Sequence, residues 1–324
     1  MTRLPGLAAL VLTLLAAACA HAGVGFQHFT IPDPQGPPIE VGVWYPTDAA
    51  RSPTRIELFH EPLAKDAPVK GERLPLVVIS HGNGGSYTGH VDTAVALAEA
   101  GFVAAALTHT ADNWRDQSGA TRIWERPRHL KLLVNHMLGG WGDRGRLDPN
   151  RIGAFGFSAG GFTVLIAAGG EADLTTVATH CRDHPDFVDC RLVAQAGATF
   201  DRTIPWTHDA RIKAVVAAAP AVGFAFGKAG LAGVRQPVQL WRAAEDEVLP
   251  HPHYAEAVRR ALPRPPETHV VANAGHYEFL APCSAELAAV NQAICVSRPG
   301  FDREAFHRDF NREVVRFFRR TLRP

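Results

Sequence analysis

The chain has 324 residues, enough to bury a sizeable core, and α/β folds of this length commonly form one domain. Hydrophobic residues make up 46% and charged residues 20%, the balance of an ordinary globular protein rather than a disordered or fibrous one. Its 33 basic and 32 acidic residues nearly cancel and form no basic block, which excludes the electrostatic footprint of a nucleic-acid or anionic-membrane binder.

Residues 1–22 read as a secretory signal. Arg3 supplies the positive start, residues 7–18 the apolar stretch, and Ala20-His21-Ala22 a small-x-small cleavage site before Gly23. The stretch is shorter than the about 20 apolar residues that a membrane span needs. Cys19 offers lipoprotein processing as a rival, but Ala16 stands where such sites usually carry leucine. The expected location is therefore the periplasm or the medium, with residues 23–324 as the mature domain. Its charge is balanced, because removing Arg3 leaves 33 − 1 = 32 basic residues against 32 acidic ones.

Residues 24–31 and 39–45 are β-like runs split by the turn Asp33-Pro34-Gln35-Gly36-Pro37-Pro38. Residues 53–71 read as irregular and polar. Residues 74–80 (LPLVVIS) form the unbroken apolar run of a buried parallel strand and lead into His81-Gly82-Asn83-Gly84-Gly85. A helix is predicted over 91–100, a strand over 102–107 and a helix over 124–138. The turn Asp148-Pro149-Asn150 opens a strand over 151–155, which runs into Gly156-Phe157-Ser158-Ala159-Gly160 and Gly161, and a helix follows over 162–168. Residues 171–206, rich in His, Asp and Thr, read as an irregular insertion over the sheet. Buried strands are predicted over 212–219, 237–241 and 268–272. The last helix, over 303–322, sets Phe306, Phe310, Val314 and Phe317 at helical spacing to pack against the sheet.

Strands alternating with helices imply an α/β fold with a mostly parallel central sheet, helices on both faces and a small cap-like insertion over the site. Ligands bind such sheets at the carboxyl ends of strands. The glycines around Ser158 give neither a dinucleotide fingerprint nor a phosphate loop, so no cofactor is expected.

Strand, G-x-S-x-G, helix is the context of a nucleophile elbow, in which the serine hydroxyl stands at the end of the sheet. A serine needs a base, and the base an orienting acid, in the chain order Ser, Asp or Glu, His. Asp246 follows the strand over 237–241 and is the chosen acid, with its neighbours Glu245 and Glu247 as alternatives. His276, on the loop after the strand over 268–272, is the chosen base; His269 sits within that strand and reads as a packing residue. The backbone N–H groups of Ala159 and Asn83 are the expected oxyanion donors.

After the signal, Cys181, Cys190, Cys283 and Cys295 remain. In an oxidising compartment their spacing favours the disulfides Cys181–Cys190 and Cys283–Cys295. A zinc site from His180, Cys181, His184 and Cys190 is the alternative, but outside the cytoplasm disulfide formation outcompetes it. His251 and His253 form an H-x-H pair without partner ligands nearby in sequence and read as loop residues. No metal is expected.

The stretches SHGNGG (80–85), GFSAGG (156–161), AAEDEVLP (243–250) and AGHYEFLAPC (274–283) resemble the bacterial α/β hydrolases described as predicted dienelactone hydrolases, relatives of the platelet-activating-factor acetylhydrolases. The resemblance covers most of the mature chain. It implies an α/β-hydrolase fold, a Ser158, Asp246, His276 triad, and Asn83 and Ala159 as oxyanion donors. Dienelactone hydrolases use a cysteine nucleophile, from which Ser158 departs; acetylhydrolases of this type use serine on short acyl esters. The expected activity is a secreted serine esterase acting on a small-molecule ester through an acyl-enzyme. A lactonase, peptidase or acyltransferase on the same triad, and a non-catalytic binding protein that kept the fold, are the alternatives. Asn113, Trp114 and Phe224 are the candidates to line the pocket. A polar insertion held by a disulfide would leave room for a small acyl group only.

Overall fold

The computed structural model describes residues 23–200 and 204–323; the expected signal segment lies outside them. In chain order the first half holds β1 (Gly23–Ile31), β2 (Ile39–Thr47), β3 (Ser52–Ile56), β4 (Phe59–Lys65), β5 (Leu74–Ser80), α1 (Val91–Glu99), β6 (Val103–Thr108) and α2 (Glu125–Gly139). Then come β7 (Leu147–Phe157), α3 (Ala159–Ala167), α4 (Thr176–Asp183), α5 (Val188–Ala196), β8 (Ile212–Ala218) and α6 (Lys228–Leu231). The last part holds β9 (Val238–Ala243), α7 (Ala255–Ala261), β10 (Glu267–Val271), α8 (Ala285–Val290), α9 (Gln292–Cys295) and α10 (Arg303–Thr321).

Among the described residues ten strands are ordered β10-β9-β8-β7-β5-β6-β2-β1-β4-β3. Pairings from β10 to β6 are all parallel, and β2 runs antiparallel to both β6 and β1. Every position of β5 is buried, as an unbroken apolar run demands of a strand covered on both sides. The pleat sends Leu76 and Val78 into a core with α2, α3 and α7, and Val77 and Ile79 into a core with α1 and α10. In the second core Phe310, Val314 and Phe317 are buried, which fixes the packing face of α10.

Three stretches depart from the sequence reading. Residues 53–71 contain the antiparallel hairpin β3–β4, which buries Ile56, Phe59 and Leu63 against the second core while its polar positions face outward. The region 171–206 is not irregular: its central part folds into α4 and α5. Finally, β10 is an edge strand with alternate residues exposed, not a fully buried one. Its His269 lies flat on Trp241 at a ring separation of 3.9 Å, the packing role expected of it.

Candidate active site

The loops after β5, β7, β9 and β10 meet at the carboxyl end of the parallel strands. Ser158 joins β7 to α3 at φ 55° and ψ −119°, a left-handed conformation that costs a side-chain-bearing residue roughly 1–3 kcal/mol. The surroundings hold it there. Ser158 N–H donates to the Ala218 carbonyl at 2.9 Å, and the Ser158 carbonyl accepts from Ala221 N–H at 3.0 Å. A Cβ on Gly156 would strike the Gly160 carbonyl, and one on Gly160 the Ser80 carbonyl, so strand and helix approach this closely only with glycines.

Ser158, His276 and Asp246 come together although 118 and 30 residues separate the bonded pairs. The His276 Nδ1 lies 2.9 Å from Asp246 Oδ2, and its Nε2 lies 3.1 Å from Ser158 Oγ. A carboxylate only accepts, so Nδ1 carries the proton and Nε2 turns its lone pair to the serine hydroxyl. Asp246 Oδ1 is held by the backbone N–H groups of Val248 at 3.1 Å and Leu249 at 2.7 Å. Among the three adjacent carboxylates, only Asp246 reaches the ring. Glu247 takes the backbone N–H of His276 at 3.4 Å instead. Buried Glu278 braces the same loop, accepting from Gly275 N–H at 3.0 Å and Arg298 N–H at 2.8 Å.

Ala159 opens α3, so its N–H has no partner within the helix. The glycine-rich segment, residues 82–85, is anchored by groups that the sequence reading missed. Asp112 Oδ1 accepts from Asn83 Nδ2 at 2.7 Å and from Gly84 N–H at 3.2 Å. Its other oxygen pairs with Arg126 Nη1 at 2.5 Å, both side chains being buried. Arg126 also donates to the His81 carbonyl, and to Thr163 Oγ1 of α3 at 3.2 Å. One buried ion pair thus joins the glycine-rich loop to the elbow helix. The signal lay in α2, where an arginine occupies the apolar stripe of Leu130, Val134 and Met137. Burial and then the nearby Arg126 charge hold the His81 imidazole well below its ordinary pKa, so this ring stays neutral. It accepts from His109 N–H at 2.9 Å.

A cavity of about 890 Å³ opens over Ser158 and His276. Trp114 and Phe224 line it; Asn113 does not. The Asn113 side chain closes its own turn, donating to the His109 carbonyl at 2.8 Å and accepting from Arg115 and Asp116 N–H. The insertion also differs from its expected polar character towards the site. Its helices turn Val177, Val188, Leu192 and Val193 to the cavity, and α8 and α9 add Leu287, Val290 and Ile294. Cys181–Cys190 ties α4 to α5, with Cα atoms 5.0 Å apart. Cys283–Cys295 ties the segment before α8 to the end of α9, with Cα atoms 5.7 Å apart. Both are the pairs the spacing predicts.

Residues 54–130 match the family model described as platelet-activating factor acetylhydrolase, isoform II. The match takes in β5, the glycine-rich loop, Asp112 and Arg126, and stops short of Ser158. Among solved structures, a ferulic acid esterase from Streptomyces cinnamoneus superposes with a TM-score of 0.59 at 19% identity, covering 95% of this chain and 92% of that one. No curated protein matches the chain. The fold is that of the α/β hydrolases, and because 832 solved chains match it, the fold alone does not fix a substrate.

Proposed function

We propose that the protein is a serine-dependent carboxylic ester hydrolase working through an acyl-enzyme. The observation that carries the reading is the Asp246–His276–Ser158 relay, with its 2.9 and 3.1 Å links, set on a left-handed serine at the floor of an apolar cavity. In the proposed reaction Ser158 Oγ attacks the ester carbonyl carbon while its proton passes to His276 Nε2. Asp246 stabilises the imidazolium without taking the proton. The negative charge on the former carbonyl oxygen is met by the N–H groups of Ala159 and Asn83. His276 then protonates the departing alkoxide, and the acyl group stays on Ser158. A water molecule, deprotonated by the same nitrogen, releases the acid and restores the serine.

Two disulfides support the reading of an exported protein, since such bonds persist in oxidising compartments. Among the described residues no helix is long and apolar enough to cross a membrane. The cavity bears on the substrate. Short-acyl selectivity rested on a polar insertion, whereas the walls facing Ser158 are apolar and enclose about 890 Å³. The ester proposed is a small molecule with a bulky apolar part on one side of the scissile bond; the short acyl group then belongs on the other side.

A fluorophosphonate probe tests the nucleophile, and a matrix of esters with acyl and alcohol parts varied separately tests the pocket. The expected result is labelling at Ser158 and highest kcat/KM for acetyl to butyryl esters of bulky apolar alcohols. Absence of labelling overturns the enzyme reading and favours a binding protein. A rate that rises steadily to long acyl chains overturns the assignment of the two sides.

A further inference from the structure

Outside the relay, the structure gathers three histidines that the ester chemistry does not use. His180 and His184 stand four residues apart at the end of α4, and His253 comes from the loop between β9 and α7. Ring centroids are 5.0 Å apart for His180 and His184, 4.3 Å for His184 and His253, and 5.6 Å for His180 and His253. One ring nitrogen from each lies within 4.8 Å of the other two. We propose that His180, His184 and His253 form a binding site for a divalent transition-metal ion, zinc being the best fit.

The hydrogen bonds around His180 decide which of its nitrogens is available. Tyr254 has one hydroxyl proton and donates it to the Asp189 carboxylate, at 2.9 and 3.0 Å from its two oxygens. The Tyr254 oxygen is therefore the acceptor in its 3.2 Å bond with His180 Nε2, which must carry the proton. This leaves Nδ1 of His180 with a free lone pair. A carboxylate acting through a hydroxyl on the far nitrogen is the outer-shell support that orients metal-bound imidazoles. Three imidazoles with an open fourth position suit zinc, while calcium and magnesium prefer oxygen ligands. Tetrahedral zinc at about 2.0–2.1 Å from each nitrogen needs them about 3.4 Å apart, inside the 4.8 Å within which they now lie, so the rings must draw in where they stand wider than that. His184 and His253 are only half-buried, and both rings pack against Phe187, at 4.6 and 5.6 Å.

The site lies behind the cavity wall rather than inside it. His180 stacks on the cavity residue Phe224 at 3.6 Å, and Tyr254 packs in a cluster with Leu249 and Val248, whose N–H groups hold Asp246. A bound ion would brace the α4–α5 wall against the loop that carries the acid, without entering the ester chemistry. His253 has no partner nearby in sequence because its partners lie about seventy residues away, and the alternative zinc set of His180 and His184 with Cys181 and Cys190 is ruled out by the disulfide between those cysteines.

The test is calorimetric titration of zinc chloride into tag-free, chelator-treated full-length protein, with magnesium chloride as control. We expect about one zinc per chain, no magnesium uptake, and a raised thermal midpoint with zinc. His184→Ala and His253→Ala should each weaken zinc binding at least about 100-fold, while His251→Ala, outside the cluster, retains it. X-ray absorption at the zinc edge, on the unmodified protein, should show three imidazole nitrogens at about 2.0–2.1 Å, which decides the matter even where a variant does not fold. No saturable zinc uptake, uptake undiminished in both variants, or a spectrum without three imidazoles would overturn the proposal and leave the rings as an aromatic nest around Phe187 and Phe224.

Discussion

At the floor of the cavity, Ser158 is fixed by backbone hydrogen bonds to Ala218 and Ala221 and by glycines that admit no side chain. The walls are different: short helices, each pair tied by one disulfide, with apolar faces turned inward and polar faces to solvent. The floor depends on the sheet, whose parallel strands lie in the two cores, and tolerates almost no change of volume. The walls depend on local cross-links and can vary in shape without disturbing the strands. On the proposed reading, chemistry and selectivity should therefore reside in separate parts of the molecule. Floor variants should lower kcat at constant selectivity, and wall variants should change selectivity at nearly constant kcat.

The largest effect should come from Ser158→Ala, which is expected to lower kcat by about a million-fold and abolish fluorophosphonate labelling, with the melting temperature held. His276→Ala should lose nearly as much, because the members act as a unit. Steady-state kinetics beside a thermal melt checks both, and a Ser158→Ala enzyme retaining a percent of its rate would break the comparison.

Asp246→Asn is expected to cost about ten-thousand-fold in kcat, since the amide favours the wrong tautomer of His276. Glu247→Gln should keep most of the rate. Inverted outcomes would mean that Glu247, now on the His276 backbone, is the working acid.

Breaking the buried ion pair sharpens the comparison by loosening the floor without touching the relay. Asp112→Ala strands the Arg126 charge and should destabilise the fold by about 3–5 kcal/mol. If it also frees residues 82–85, one oxyanion donor is lost and kcat falls by about 100- to 1000-fold. Denaturant melts and kinetics on the same preparation separate the two effects. Normal kcat in a destabilised protein would make the pair a purely structural brace.

Wall variants should do less. Phe224→Ala is expected to shift the ratio of kcat/KM between a bulky and a small ester by about 10-fold, with kcat on the small ester unchanged. The combined variant Cys283→Ser, Cys295→Ser should lose about 3 kcal/mol of stability by the chain-entropy measure. Its rate should fall only a few-fold, through Glu278, which links the His276 loop to Arg298 just beyond the disulfide. A rate loss as large as that of Asp246→Asn would show that the walls share in the chemistry.

The sequence by itself determined what depends on neighbours along the chain. The run LPLVVIS fixed β5 to the residue, because a strand buried on both faces must be apolar throughout. The elbow was legible because its glycines serve a steric need within five residues, and His276 because it follows the last strand. Both disulfides were readable because each closes a short loop. The helices of the insertion were not: α4 and α5 are short and mix polar with apolar residues, so they take their form from packing over the cavity rather than from propensity.

Only the tertiary structure shows which of Glu245, Asp246 and Glu247 lies against the His276 ring. Successive side chains of a loop point different ways, and the position of the β10 loop decides which one meets His276. It alone joined Asp112 to Asn83 across 29 residues, Arg126 to the elbow helix across 37, and His180 to Tyr254 across 74. These contacts carry no local pattern, because a buried polar group needs a partner but sets no rule for where along the chain that partner lies.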